Sequence, residues 1–397
     1  MKGLVLDPSQ ERAVELATAA PIACLTGGPG TGKSTIVRTL LDRVKGHTML
    51  ASPTGKAAKR LAETTGRHAQ TIHRLLSYGP CELTGRLRFR VDSASPLEAD
   101  LVVIDEASML DVELADALLD GIGEDTRLLL VGDANQLPSV GPGRVFADMI
   151  DSGTVPVARL EHVHRSAAES WVCSQAPLVL RGQEPDLRRR ADFGWCPVTA
   201  ASDLPAQILD MAIAVREATG ALPAVLCPQN TGKAGVEALN ACIQARVNPR
   251  RAGEKTSGAA PNELRMRDPV IQTKNDYTLA VFNGEIGVVA HVDEAQRVHV
   301  AFDDRTVVYS KSQAFKLRLA YSLTIHKSQG SEWPWIVVVC HSTHSYMLSR
   351  QLLYTAITRA KKGVVLVGDE VGLERALGNT APEKRNTGLV ERLRGAA

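Results

Sequence analysis

The 397 residues are enough for two or three domains with cores of their own, and 44% hydrophobic and 23% charged residues are ordinary for a globular protein. A net charge of +2 provides no overall attraction to nucleic acid, so any such binding requires a local groove. The seven cysteines are scattered and form no CxxC pair, which predicts reduced thiols and no cysteine metal site. The sequence has no signal-peptide core and no apolar run near ~18 residues, so we expect a cytoplasmic protein with no membrane partner.

The first predicted helix begins at Asp7-Pro8-Ser9-Gln10. Asp7 is the expected N-cap, Pro8 takes the first helical position, and Gln10 completes a capping box. An amide at this position is also suited to reading the adenine edge of ATP, because it both donates and accepts hydrogen bonds. The spacing alone favours the cap.

The stretch Gly27–Thr35 matches the P-loop pattern, a Gly, four residues and then Gly-Lys-Ser. A short apolar strand precedes it, and apolar residues at helical spacing follow it. Glycines allow backbone N–H groups to close around phosphate oxygens at a helix N-terminus, so the context predicts a nucleoside triphosphate site. Lys33 is expected to reach the β- and γ-phosphates, and the Ser34 hydroxyl to bind Mg²⁺. The predicted phosphate-binding residues are Gly28, Gly30, Thr31, Gly32, Lys33, Ser34 and Thr35.

A strand over residues 47–51 is followed by Ser52-Pro53-Thr54-Gly55-Lys56. A hydroxyl, a glycine and a helix N-terminus suit an anion such as a DNA phosphate. A capped helix start explains the same residues equally well.

Residues 81–91, inside an insert of about 77–99, alternate strictly around Thr84-Gly85 and predict a small β-hairpin. Period 2 places two sets of side chains on opposite faces, the basic Arg86, Arg88 and Arg90 and the apolar Leu87, Phe89 and Val91. The arginines fit a phosphate backbone or a solvated face equally well.

An apolar strand over 101–104 ends in Asp105-Glu106, which is typical of the second half of a P-loop site. Asp105 is expected to hold Mg²⁺, directly or through water, and Glu106 to orient or deprotonate the attacking water. The next strand, over 127–131, leads into a polar segment in which Gln136 could sense the γ-phosphate.

A segment near 150–160 resembles an interdomain linker and ends a first domain at about residue 155. The second core, over 156–266 and 317–397, repeats the α/β pattern. It has no second P-loop lysine, so one nucleotide site is predicted. Short strands separated by turns predict a small all-β barrel inserted at 267–316.

Six stretches occur in an order that resembles superfamily-1 DNA helicases, and most closely the RecD-like group, to which the phage Dda-type enzymes are related. They are Gly27–Thr35, Asp105-Glu106, Gly132–Gly141, Leu160–Arg165, Ala320–Trp333 and Tyr354–Lys362. The resemblance runs from Leu6 to about Gly368. It implies two RecA-like P-loop domains with parallel sheets, ATP in the cleft between them and single-stranded DNA across both. It also implies an SH3-like β insert and places the hairpin where relatives carry a strand-separating wedge.

The resemblance assigns roles residue by residue. Against the capping role that the spacing alone favours, the resemblance makes Gln10 the residue that binds the adenine edge of ATP, and it makes Glu332 a ribose contact. Arg165 and Arg359 are implied to reach the γ-phosphate and stabilise transition-state charge. The implied DNA contacts are Pro53, Thr54, Lys56, His73, Thr324, His326, Lys327 and Ser328.

The function so implied is that of an ATP- and Mg²⁺-dependent 5′→3′ translocase or helicase. Its partners would be single-stranded DNA, single/double-strand junctions and a nuclease or single-strand-binding protein. One alternative is a translocase that remodels protein–DNA complexes or serves a nuclease without unwinding. A second is a nucleotide-gated DNA-binding subunit without turnover. Phosphate contacts alone do not distinguish DNA from RNA.

Overall fold

The computed structural model describes residues 6–80, 85–160, 170–276, 278–303, 305–381 and 385–395. The chain divides into two compact units, the first made of Met1–Ala168 and Glu383–Ala397 and the second of Glu169–Pro382. Each unit has a parallel sheet of its own at its centre.

Unit 1 is built around a six-stranded parallel sheet with strand order β3-β2-β6-β7-β1-β8. The strands of unit 1 are β1 (Ile22–Gly27), β2 (Thr48–Ser52), β3 (Ala69–Thr71), β4 (Gly79–Pro80), β5 (Leu87–Arg88), β6 (Leu101–Ile104), β7 (Arg127–Gly132) and β8 (Val157–Leu160). β4 and β5 form a separate antiparallel pair.

The helices of the N-terminal part of unit 1 are α1 (Pro8–Ala19), α2 (Lys33–Arg43), α3 (Gly55–Thr65), α4 (Ile72–Leu75), α5 (Val112–Asp120) and α6 (Val145–Ser152). They cover both faces of the sheet, which is why its strands are continuous apolar runs. In β6, Leu101 and Val103 pack into one core while Val102 and Ile104 pack into the other.

An antiparallel strand pair is present at the predicted hairpin. β4 pairs with β5, Gly79 opposite Arg88, while residues 81–84 lie outside the described part of the chain. The predicted apolar face is wrong at one position: Leu87 is 60% exposed, whereas Phe89 and Val91 pack against the core of unit 1. Alternation of apolar residues therefore does not by itself place Leu87 in the core.

Unit 2 contains a five-stranded parallel sheet of order β16-β10-β17-β18-β9 and a five-stranded antiparallel sheet of order β14-β13-β12-β11-β15. The strands are β9 (Phe193–Pro197), β10 (Ala224–Cys227), β11 (Pro269–Gln272), β12 (Ile286–Val292), β13 (Val298–Ala301), β14 (Thr306–Tyr309), β15 (Leu317–Leu319), β16 (Ser322–Thr324), β17 (Trp333–Cys340) and β18 (Ala360–Gly368). The helices are α7 (Trp171–Leu180), α8 (Leu204–Thr219), α9 (Val236–Val247), α10 (Arg350–Ile357) and α11 (Glu370–Gly378).

The antiparallel sheet is the predicted β insert, closed by β15 just beyond the expected boundary at residue 316. Its apolar residues share one core with the parallel sheet of unit 2. Asp268, fully buried at the start of the insert, accepts hydrogen bonds from Gln244 of α9, from Asn248 just after α9 and from the Tyr321 hydroxyl. Burial raises the pKa of Asp268, and these donors oppose that rise. The insert is therefore joined to α9 by both apolar and polar contacts.

Two boundaries differ from the sequence prediction. β8 pairs with β1, so unit 1 extends past residue 155. The final helix, α12 (Leu389–Gly395), belongs to unit 1, although 317–397 was expected to lie wholly in the second core. α12 packs on α6, and Leu389 and Leu393 contact the core of unit 1, which explains the difference.

No helix in the described ranges combines the length and the apolar character that crossing a membrane requires.

Candidate functional site

The P-loop joins β1 to α2 in the predicted strand–loop–helix form. Gly30 and Gly32 adopt φ of +73° and +87°, values that favour glycine. The Lys33 ammonium donates to the carbonyl oxygens of Gly27 at 2.6 Å and Gly28 at 3.1 Å. The Thr31 hydroxyl donates to Gly28 at 2.9 Å. These bonds hold the loop closed on itself with its lysine turned inward.

The remaining phosphate-binding candidates lie in the first turn of α2. Ser34 is exposed and Thr35 is half-buried. The backbone N–H groups of such a turn have no partner within the helix, so they point toward any anion placed in the loop.

Asp105 and Glu106 follow β6 at the same edge of the sheet as the P-loop, which follows β1. Burial, and then the charge of Glu106, raise the pKa of Asp105, while the Lys33 charge opposes the rise. The Glu106 N–H donates to Asp105 Oδ1 at 2.9 Å. Glu106 itself has φ +55° and ψ +40°, a left-handed conformation that is strained for this residue type.

Gln136 lies in the loop after β7 and is buried. Its N–H donates to the Asp133 carbonyl at 3.1 Å, and Ala134 N–H donates to Thr26 Oγ1 at 3.3 Å, one residue before the P-loop. Within the described residues Gln136 Oε1 accepts no hydrogen bond. An unsatisfied buried acceptor destabilises a site until a donor arrives.

Gln10 forms the capping box that the spacing predicted. Asp7 accepts from the N–H groups of Ser9 and Gln10, and the Gln10 Oε1 atom accepts from Asp7 N–H at 3.1 Å. The buried amide is therefore held in a fixed orientation at the start of α1.

Arg359 is only 3% exposed, and it lies in unit 2 directly after α10. Its guanidinium is within 3.5 Å of the Ser331 carbonyl, and the Arg359 carbonyl accepts from Trp333 N–H at 3.0 Å. These contacts bring Arg359 beside Glu332, which pairs with Lys361 at 3.6 Å. Arg165 lies outside the described residues.

The unit 1 candidates for DNA binding surround the N-termini of α3 and α4. Thr54 caps α3 by accepting from Ala57 N–H at 3.3 Å, so the capped-helix interpretation holds for this side chain. Pro53 and Lys56 beside it are half-buried. His73 contacts the rings of Tyr78 and Phe89, with centroids 5.3 and 5.7 Å away. Burial lowers the pKa of His73, which the charge of Asp111 opposes.

The unit 2 candidates lie in the 3₁₀ turn after β16. Ser328 is fully buried and its hydroxyl donates to the Ile325 carbonyl at 2.7 Å. It therefore shapes the turn and does not present its hydroxyl for a direct DNA contact, contrary to expectation. Thr324 Oγ1 accepts from Lys327 N–H at 3.3 Å, and His326 is half-buried. Lys327 is the exposed member of the set.

Lys327 and Thr324 line a cleft of about 960 Å³ between the β insert and the parallel sheet of unit 2. Lys311 and Arg318 of the insert line the same cleft, with Glu237 as its one acidic lining residue among those described. Partial burial of its ammonium group, and then the charge of Arg318, lower the pKa of Lys327. A lining in which cations outnumber carboxylates attracts an anion.

Phe315 adds an apolar ring to the lining of this cleft and is 59% exposed. Sequence reasoning missed Phe315, Arg318 and Lys311. Lys311 and Phe315 lie in the segment 267–316, which was assigned only to the β insert, and Arg318 lies two residues beyond its predicted end. The available signal was an aromatic residue between two basic residues in a chain with 4% aromatics.

The fold and the site define a P-loop nucleotide-binding protein with two RecA-like units. Three family models match the chain: "AAA domain" over residues 10–142, "ATP-dependent RecD-like DNA helicase SH3 domain" over 239–302, and "UvrD-like helicase C-terminal domain" over 319–367. The predicted SH3-like identity of the insert is thereby confirmed.

Two relatives extend along nearly the whole chain. ATP-dependent RecD2 DNA helicase of Deinococcus radiodurans is 38% identical over 94% of this chain and 50% of its own length. RecBCD enzyme subunit RecD of Mycolicibacterium smegmatis is 34% identical over 98% of this chain and 75% of its own length. The chain thus spans half of the first relative and three quarters of the second. It belongs to the RecD-like family of superfamily-1 helicases.

Solved structures agree on the fold. Bacteroides Pif1 bound to single-stranded DNA has a TM-score of 0.60 at 18% identity, covering 99% of this chain and 97% of that one. Pif1 helicase of Candida albicans has a TM-score of 0.56 at 19% identity, covering 99% of both chains.

Proposed function

We propose that the chain is an ATP-dependent DNA helicase or translocase that moves 5′→3′ on single-stranded DNA. The observation that carries the proposal is the convergence of Lys33, Asp105 and Glu106 at one edge of the unit 1 sheet, where the Lys33 charge acts on Asp105. Family membership supports the same activity, since one relative is an ATP-dependent DNA helicase by name and the other is subunit RecD of the RecBCD enzyme.

ATP would bind with its phosphates in the P-loop, against backbone N–H groups and the Lys33 ammonium. Gln10, held by its capping box, would read the adenine edge, and Glu332 would contact the ribose. The phosphate-binding set remains Gly28, Gly30, Thr31, Gly32, Lys33, Ser34 and Thr35.

A hydroxyl and a carboxylate, Ser34 and Asp105, are oxygen donors of the kind that Mg²⁺ takes. The raised pKa of Asp105 fits such an ion, because the buried carboxylate lacks full compensation of its charge. When bound, Mg²⁺ would neutralise charge on the phosphate oxygens.

In hydrolysis a water molecule attacks the γ-phosphorus and the bond to the β-phosphate oxygen breaks. Glu106 would accept the proton of that water. Gln136 would orient the attacking water, which would donate an O–H to the unsatisfied amide oxygen of Gln136, while the amide N–H group would donate to the γ-phosphate. Arg359, and Arg165, would stabilise the charge of the transition state.

The DNA strand would follow the helix N-termini at Pro53, Thr54 and Lys56, and His73, in unit 1. In unit 2 it would follow the cleft at Thr324 and Lys327 and pass His326 in the same turn. Phosphate contacts would dominate binding and make it sensitive to salt. Bacteroides Pif1, bound to single-stranded DNA, supports this class of ligand. A nuclease partner is also proposed, on the likeness to RecD, a subunit of RecBCD.

The test measures ATP hydrolysis with and without single-stranded DNA, and strand displacement on duplexes with a 5′ or a 3′ tail. The proposal expects DNA-stimulated hydrolysis and displacement from the 5′ tail only. Stimulated hydrolysis without displacement would indicate a translocase that does not unwind. DNA binding without hydrolysis would indicate a nucleotide-gated subunit, and displacement from the 3′ tail would contradict the direction.

A further inference from the structure

Residues 385–395, called here the C-terminal arm, lie against unit 1 although they follow unit 2 in the chain. The three matching family models end at residue 367 or earlier. None of the roles assigned above falls on the arm.

Arg385 contacts the loop after β7 through one guanidinium. Its Nη1 donates to the carbonyl oxygens of Gly141 at 2.9 Å and Gly143 at 2.6 Å, and its Nη2 donates to Ser139 at 2.9 Å. Arg385 is half-buried. A planar cation with several fixed donors suits such a group of carbonyls better than an ammonium does.

The loop is shaped to gather these carbonyls on one side. Ser139 is buried, and its hydroxyl donates to the carbonyl oxygens of Gly141 at 3.1 Å and Gly143 at 3.2 Å. Gly143 has φ +89°, and a Cβ there would lie 2.4 Å from a methyl carbon of Val112. Carbonyl dipoles that converge in this way repel one another, and the Ser139 hydroxyl and the Arg385 guanidinium both offset that repulsion.

The same loop carries Gln136 three residues before Ser139. At its other end the loop is bound to β1, because Ala134 N–H donates to Thr26 Oγ1. The loop is therefore fixed to the nucleotide site at one end and to Arg385 at the other, with Gln136 between them.

We propose that Arg385 is a positioning residue that holds the loop 132–143 so that Gln136 meets the γ-phosphate and the attacking water. This inference rests on the proposed function.

The arm has other attachments, which separate this role from simple anchoring. Arg394 donates to the carbonyl oxygens of Asp151 at 2.9 Å and Ser152 at 3.1 Å, and the Thr387 hydroxyl bonds to Asp148. Leu389 and Leu393 pack on the core. The arm is thus expected to stay in place when Arg385 alone is truncated.

The experiment compares Arg385→Ala, Arg385→Lys and the matched control Arg394→Ala, which weakens the arm away from the loop. We expect Arg385→Ala to lower DNA-stimulated kcat about 3- to 30-fold, with KM for ATP changed less than about twofold. Arg385→Lys should recover part of the loss, because an ammonium reaches fewer of the carbonyls. Arg394→Ala should lower the thermal midpoint while kcat stays near wild type.

Hydrogen exchange of residues 134–143, measured without DNA, provides a readout independent of turnover. Arg385→Ala should speed exchange there, and Arg394→Ala should not. Equal losses of kcat in the two alanine variants, or unchanged exchange in Arg385→Ala, would overturn the proposal. A wild-type chain that does not hydrolyse ATP would instead refute the proposed function, and the exchange comparison would still decide whether Arg385 orders the loop.

Discussion

The Nζ atom of Lys33 lies 2.6 Å from the carbonyl oxygen of Gly27. The lysine is therefore held over the same turn whose N–H groups would close on phosphate oxygens. Nucleotide binding would exchange a neutral carbonyl acceptor for an anionic phosphate oxygen, which adds an attraction between opposite charges to the hydrogen bond. The cation is oriented before the ligand arrives, so little reorganisation is needed.

Replacing Lys33 by Ala should abolish DNA-stimulated ATP hydrolysis and leave the fold intact, because its contacts are confined to one turn. Lys45→Ala, an exposed lysine just beyond the same helix, is the matched control. ATP turnover and thermal melting followed by circular dichroism measure the two effects. Undiminished turnover in Lys33→Ala would contradict the assigned site.

Glu106→Gln should keep ATP binding and lower kcat about 10²- to 10⁴-fold, because the amide cannot accept the proton of the attacking water. Glu113→Gln, at the exposed start of α5, should have no effect. Binding of a fluorescent ATP analogue and release of phosphate separate affinity from chemistry. A kcat within twofold of wild type would remove Glu106 from the proposed mechanism.

Local patterns predicted the elements that carry the nucleotide site. The glycines and Lys33 identify the P-loop without tertiary information, and apolar runs such as Leu101–Ile104 mark strands buried on both faces. β9 was missed because Phe193–Pro197 combines a glycine, a proline and half-buried positions. The place of β9 in the sheet depends on its pairing with β18 and on the stacking of the Phe193 and Trp171 rings, whose centroids lie 3.9 Å apart.

Contacts distant in sequence explain the other differences. Nothing near Arg385 predicts that it binds carbonyls more than 240 residues earlier. Likewise, the motif around Ser328 suggested a DNA contact, but whether a hydroxyl points outward depends on the turn that holds it. Exposure of Phe315 follows from the closure of the insert and could not be deduced from its own sequence.

The ring centroids of Tyr78 and Phe89 lie 4.7 Å apart at the base of the hairpin. Phe89→Ala should loosen the hairpin, because each aromatic pair contributes about 0.5–1.5 kcal/mol beyond its buried area. If the hairpin separates strands, displacement should fall severalfold while DNA-stimulated ATP hydrolysis stays within about twofold. Leu87→Ala, at an exposed position of the same hairpin, provides the comparison. Parallel losses of displacement and hydrolysis would argue against a wedge role.

The stability of unit 1 should fall as the pH drops below about 6.5. Burial lowers the pKa of His73 from its ordinary value of 6.5, so the unfolded chain binds this proton more readily than the folded one. The loss begins where the unfolded histidine titrates and ends below the folded pKa. Urea unfolding at pH 7.5 and 5.5 measures it, and His73→Phe should reduce the difference. An unchanged difference in that variant would show that other groups cause it.

Phe315 and Lys327 should contribute differently to DNA binding in the unit 2 cleft. Stacking of a base on an aromatic ring is worth about 1–3 kcal/mol, so Phe315→Ala should weaken binding about 5- to 150-fold with the salt dependence unchanged. Lys327→Ala should instead reduce the slope of log K against log salt by about 0.7, because one phosphate contact is lost. Fluorescence anisotropy with a labelled oligothymidine at several salt concentrations distinguishes the two. Val308→Ala, at an exposed apolar position of the β insert outside the cleft lining, is the control. Wild-type affinity in both cleft variants would place the DNA strand elsewhere on unit 2.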